Sequence, residues 1–168
     1  MKRDSVAAIV ETLTEHRVRY LIVGGLAVVA HGYVRFTADV DLMLDMERDN
    51  LKRAVEALES LGYRPRAPVG FRDFLDASQR RHWAQNKNMT VFSLSSNAHR
   101  ATEVDLFLEP PIDFETAYRR RVAKEVAPGV EGMFCGLDDL IELKESTDRE
   151  VDREDVLKLR QLKRDPHD

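Results

Sequence analysis

VGGLAVVAHGYVRFTADVDL, residues 23–42, is the stretch whose reading decides the fold. It is entered by the apolar run Tyr20-Leu21-Ile22-Val23 and turns at once on Gly24-Gly25, the pattern of a buried strand feeding a tight turn. Leu26 to His31 suits a short helix, stopped by Gly32. From Asp39 to Asp45 the chain alternates, with Val40, Leu42 and Leu44 on one face and Asp39, Asp41, Met43 and Asp45 on the other. That spacing predicts a half-buried strand. Residues two apart on a strand point the same way, so Asp39 and Asp41 project their carboxylates together. Carboxylates so close repel each other unless a positive charge sits between them. A divalent cation does this well, and hard oxygen ligands suit Mg²⁺ or Mn²⁺.

A second segment repeats the theme. In Glu103-Val104-Asp105-Leu106-Phe107-Leu108 the apolar residues Val104, Leu106 and Leu108 share a face, and Asp105 emerges opposite with Glu103. If this strand neighbours the first, Asp105 completes a three-carboxylate cluster, able to hold two metals and to deprotonate an attacking hydroxyl. Asp-x-Asp alone fits solvent-facing acids on an edge strand equally well. The upstream turn weighs on the other side, because Gly24-Gly25 between a strand and a helix lets backbone N–H groups approach a phosphate closely. A glycine turn followed by acids on the next strand is the order needed for metal-assisted phosphoryl or nucleotidyl transfer.

Outward from this centre, Val6, Ile9, Val10 and Leu13 recur at helical spacing behind a cap at Asp4 or Ser5,. Leu51, Ala54, Val55, Leu58 and Leu61 form the stripe of an amphipathic helix from about Arg48, with Gly62 as its stop,. The stretch from Tyr63 to Lys87 has no legible period. Met89 to Leu94 and Glu103 to Leu108 read as paired strands, Phe114 to Arg121 as a helix, and Val122 to Phe134 as a hairpin around Pro128-Gly129. Leu137 to Glu145 and Val151 to Leu162 read as two closing helices. The expectation is one α+β domain over residues 1–168, a mixed sheet flanked by helices, with its core at about 18–110 and a helical pair at about 137–163.

Hydrophobic residues make up 43% of the 168 and charged residues 33%, as in a globular chain rather than a disordered one,. No apolar run approaches the roughly 20 residues of a membrane helix, so no membrane partner is expected. The first residues lead into a mixed-charge helix rather than a signal peptide. Cys135 is the single cysteine, and the reading is a reducing cytoplasm. The net charge of −4 differs from the basic balance of proteins that hold nucleic acid by bulk electrostatics,. Arg64, Arg66, Arg72, Arg80, Arg81 and His82, and then Arg119-Arg120-Arg121, fit either a solvated surface or a patch that receives a polyanion,.

Residues 23–42 resemble the signature of the polymerase-β-type nucleotidyltransferase superfamily. They are most similar to the branch of abortive-infection (AbiEii-like) nucleotidyltransferases, the toxin half of type IV toxin–antitoxin pairs. In that branch a Gly-Gly turn, a His-Gly, an Arg and a Thr precede the Asp-x-Asp, matched here by Gly24-Gly25, His31-Gly32, Arg35, Thr37 and Asp39/Asp41. Leu140-Ile141-Glu142-Leu143-Lys144, then Asp148-Arg149, Asp152 and Asp155, resembles the family's helical block. The chain departs from the superfamily at Gly25, where a serine is common; phosphate grip would then rest on backbone N–H groups, helped by Lys144 or Arg35.

The resemblance implies a nucleotidyltransferase fold. It also implies transfer of a nucleoside monophosphate from a triphosphate such as ATP to a hydroxyl on RNA (tRNA for instance), a protein or a small molecule. Asp39, Asp41 and Asp105 would bind two Mg²⁺ or Mn²⁺ ions, with Asp105 receiving the acceptor's proton. Gly24, Gly25, Arg35, Thr37, Lys144 and Asp152 would bind the nucleotide, Lys144 as a point cation on the phosphates. A cognate antitoxin is the implied protein partner. Plainer readings stand beside these: Lys144 as a surface lysine, Arg35 as a structural partner of an acid, and the acids from Asp148 to Asp155 as a salt-bridged helix face. His31 reads better as a packing residue than a base, Trp83 as the anchor of an irregular loop, and Cys135 as a small core residue. The competing class is a degenerate module of the same fold that acts by holding nucleotide or a partner protein. Phosphatases and sugar-nucleotide transferases with Asp-x-Asp place it differently in the chain.

Overall fold

The computed structural model describes residues 1–147 and 149–164. Tyr20–Val23 forms strand β1, buried along its whole length, and helix α2 (Gly24–Ala30) starts at the next residue. The chain returns as β2 (Asp39–Leu44), antiparallel to β1, with Val23 opposite Asp41. On its other side β2 pairs parallel with β5 (Glu103–Phe107), and Asp41 stands opposite Asp105. The neighbour relation on which the carboxylate cluster depends is therefore met in register.

The remaining strands extend this centre both ways. β4 (Val91–Ser96) is antiparallel to β5, and β3 (Tyr63–Pro65) lies outside it. A hairpin of β6 (Val122–Ala127) and β7 (Val130–Phe134) joins the other side, β7 running parallel to β1. The result is one seven-stranded mixed sheet in the order β3-β4-β5-β2-β1-β7-β6. Helix α1 (Arg3–Glu15) packs on α3 (Arg48–Ser60) and on the β6–β7 hairpin. Helix α2 rests on β1 and β2 and carries α6 (Leu137–Glu145), to which α7 (Glu150–Arg164) is packed. Among the described residues no helix is long and apolar enough to cross a membrane.

Two local expectations are corrected, and one unread stretch is resolved into elements. Met43 is fully buried rather than on an open polar face, because β2 is central and the polar face closes over beyond Asp41. Helix α1 begins at Arg3 with Lys2 at its N-cap; Asp4 lies in the first turn, where a carboxylate meets the positive end of the helix, and the Ser5 hydroxyl lies 2.9 Å from His99 Nδ1. The stretch after Tyr63 is ordered. It holds β3, a 3₁₀ turn (Phe71–Leu75) and α4 (Ala77–Asn86), capped by Asp76, whose carboxylate accepts from the backbone N–H groups of Ser78 and Gln79. Between α4 and α6 lies the short helix α5 (Phe114–Arg119).

Candidate active site

Gly24 has φ +67°, and a Cβ built there would lie 1.9 Å from Asp41 Oδ2. Only glycine supplies both the left-handed backbone and the missing side chain. The turn is thereby pressed against the central carboxylate. A Cβ on Gly25 would lie 2.7 Å from Thr37 Oγ1 and 3.1 Å from Arg35 Nη2. The segment before β2 explains this. From His31 to Asp39 the residues alternate between partly covered and exposed. Tyr33 donates to Glu154 at 3.2 Å, Arg35 pairs with Asp155 at 2.6 Å, and Thr37 sits over Gly25. The even positions are left outward, with Val34 86% and Phe36 84% exposed.

Burial, then repulsion from Asp105 and Asp39, pushes Asp41 up to about 6, against the opposing pull of Lys144 and Arg149. Asp105 is also raised, mainly by burial, with Ser93 across the strand pair working against it. Its Oδ1 is buried with no hydrogen-bond partner among the described residues. An orphaned oxygen beside a second crowded carboxylate is the environment a bound cation would relieve, so Asp41 and Asp105 fit a divalent metal. Asp39 continues the same face one pleat away, opposite Glu103, which is paired with Arg66 at 2.9 Å. Among the described residues no three such side chains form a ready-made ligand cage. The set is a pair with a third acid beside it.

Facing the acids is a charged wall built from α6, the turn after it and α7. Lys144 is buried and donates to Asp152 at 2.6 Å, with Asp155 2.9 Å away. Asp152 also accepts from Thr147 Oγ1 and from Arg149 Nε, each at 2.6 Å. Burial alone would raise Asp152, but these donors hold it below the usual carboxylate range. Lys144 is thus not a surface lysine, and the acids at 152 and 155 are the buried, paired face of α7. Arg35 takes the structural pairing, with Asp155 as its acid. Asp148 lies outside the described residues.

Between sheet and wall lies a cleft of about 580 Å³ lined by Gly24, Asp41, Asp105, Lys144, Arg149 and Asp152 among others, with Val23, Phe107 and Leu143 as apolar walls. Sequence reading named most of these. It assigned no site role to Arg149 or Thr147. Arg149 was legible as the arginine of the second block, whereas Thr147 carried no signal.

The other singled-out residues serve packing. His31 Nε2 lies 2.9 Å from the Cys135 carbonyl, and burial lowers its pKa. Trp83 is buried and stacked on Phe92 at 5.0 Å. Burial pushes the Cys135 thiol up to about 12, leaving it unreactive,. Several of the clustered arginines already have partners within the protein. Arg66, Arg72 and Arg120 pair with Glu103, Glu59 and Asp139, and Arg80 is buried on the Phe74 carbonyl.

With the acids of two central strands brought beside a glycine turn, and a helical pair closing the cleft, the fold is that of a nucleotidyltransferase. More narrowly, the chain belongs to the family described as nucleotidyltransferase of unknown function (DUF6036), whose model matches residues 4–164. No curated protein matches the chain.

Proposed function

We propose that this protein is a metal-dependent nucleotidyltransferase that moves a nucleoside monophosphate from a triphosphate to a hydroxyl acceptor. The observation that carries this reading is the in-register Asp41–Asp105 pair, pressed against Gly24 and faced by Lys144 and Arg149 across one cleft.

In this reading the acceptor oxygen attacks the α-phosphorus, the α–β phosphoanhydride bond breaks, and pyrophosphate leaves. Asp105 takes the hydroxyl proton; a carboxylate raised by burial is a better base than an exposed one,. Asp41 and Asp105, with Asp39 beside them, would hold Mg²⁺ or Mn²⁺, which when bound supplies charge neutralisation on the phosphates. Gly24 and Gly25 leave room for the phosphates to approach the backbone, with Arg35 and Thr37 bordering the turn. Positive charge presented by the facing wall offsets the negative charge of the triphosphate, and Asp152 holds that wall together.

The order of Gly-Gly, His-Gly, Arg, Thr and Asp-x-Asp further supports kinship with the abortive-infection branch. On that kinship the protein is one component of a toxin–antitoxin pair, with a cognate antitoxin as partner and an RNA such as tRNA among its acceptors.

The test is label transfer. Triphosphates labelled at the α-phosphate, and separately at the γ-phosphate, are incubated with the protein, Mg²⁺ and pooled RNA, protein and metabolite acceptors. Label should move from the α position only, and Asp41→Asn should abolish transfer while its circular dichroism stays that of wild type. Equal transfer by Asp41→Asn would overturn the assignment.

A further inference from the structure

The cleft is acidic on its sheet side, so a triphosphate entering it needs positive charge from the helical side. Among the described residues the only cations lining the cleft are Lys144 and Arg149, and the structure separates their roles. Lys144 has a side chain only 6% exposed and lies between two buried carboxylates, at 2.6 Å from Asp152 and 2.9 Å from Asp155. To reach a ligand its ammonium would have to leave both acids, and uncompensated buried charge is strongly unfavourable. Its charge is already matched.

Arg149 is arranged otherwise. Its Nε donates to Asp152 Oδ2 at 2.6 Å, yet its side chain is 71% exposed. That one bond fixes the guanidinium at the cleft wall, and the remaining donors of the fork have no acceptor among the described residues. A planar, permanently charged fork with free donors is the side chain best suited to phosphate oxygens. Asp152 in turn is held by Lys144 and Thr147, so the anchor of the arginine is itself fixed from behind.

We infer that Arg149 is the residue that grips the triphosphate in this cleft, with Lys144, Thr147 and Asp152 as the buried bracket that aims it. The inference rests on the nucleotidyltransferase reading and assigns within it a contact that the sequence placed on Lys144. The ligand chemistry is the polyphosphate chain, not the base.

The test uses the full chain in Mg²⁺ and calorimetric titration of non-hydrolysable analogues of the four nucleoside triphosphates, with inorganic tripolyphosphate as competitor. Arg149→Gln keeps a neutral donor for Asp152 and removes the charge. It should weaken triphosphate binding by about ten- to a hundredfold, the worth of a charge-assisted pair, and tripolyphosphate should compete on wild type and not on the variant. Thermal unfolding checks that Arg149→Gln is folded; were it not, Arg149→Lys takes its place, with a smaller but measurable loss expected. Triphosphate binding within twofold of wild type in the folded variant would overturn the assignment of Arg149 and leave the nucleotidyltransferase reading standing. Wild type that binds none of the four triphosphates would overturn both.

Discussion

Gly24 and Asp41 are readable only as a pair. A methyl group at position 24 has nowhere to go, 1.9 Å from a carboxylate oxygen and on a left-handed backbone. Gly24→Ala should therefore cost about 1–3 kcal/mol, measured from its urea midpoint, and should displace Asp41 from the cleft. Gly25 settles a puzzle that the sequence poses. The hydroxyl of Thr37 occupies the room that a serine side chain at 25 would need, so a glycine there goes with the threonine twelve residues later. Asp41 also carries a pH signature. Its carboxyl is raised from 3.8 to about 6 in the folded protein, so the folded state binds this proton more tightly than the unfolded state. The stability this contributes is complete below about pH 4 and is lost as pH rises through about 6, a change of about 2–3 kcal/mol. Asp41→Asn lacks that loss. Without metal it should be more stable than wild type above about pH 7, and the two should converge near pH 4, as denaturant midpoints at both values will show. A variant less stable than wild type at the higher pH would contradict the electrostatic account.

Helices α6 and α7 are tied to the segment before β2 by a buried ionic cluster rather than by apolar contact alone. Lys144→Met removes the cation shared by Asp152 and Asp155 and should cost about 3–5 kcal/mol in denaturant unfolding. Arg35→Ala should cost less, since Asp155 keeps Lys144. The reverse ranking would mean that the clamp on the 31–38 segment, not the helical bracket, holds the C-terminal pair. This is also the scale at which sequence reading was uneven. Strands β2 and β5 were legible because alternation is a direct consequence of strand geometry, and their acids fell on one face as read. Met43 was misplaced because alternation cannot tell an open face from one that neighbouring elements cover. The 63–87 region was opaque because its order comes from tertiary packing: Phe71 and Phe74 from the 3₁₀ turn and Trp83 from α4 converge on Phe92 of β4. Asp152 and Asp155 were visible as letters, but surface and buried ion pairs share the same spacing on a helix.

At the scale of the whole molecule, one sheet carries the acids and the C-terminal helical pair carries the wall that faces them. Local pattern identified most of its strands, but the order β3-β4-β5-β2-β1-β7-β6 follows from contacts distant in sequence, and only the family resemblance anticipated that β5 would return beside β2. The buried apolar residues form one cluster that includes both Trp83 and the residues of α6 and α7. Unfolding followed by Trp83 fluorescence and by far-ultraviolet circular dichroism should accordingly give a single coincident transition; two separate midpoints would show the helical pair melting on its own. The central claim is that the Asp41–Asp105 pair and the facing wall form a metal-dependent triphosphate site. Its most direct test is calorimetric titration of the four non-hydrolysable triphosphates, with and without Mg²⁺, into wild type and Asp39→Asn/Asp41→Asn protein. Binding of at least one triphosphate that requires Mg²⁺ and disappears in the double variant is the predicted result. Binding that ignores both the metal and the two substitutions would contradict it.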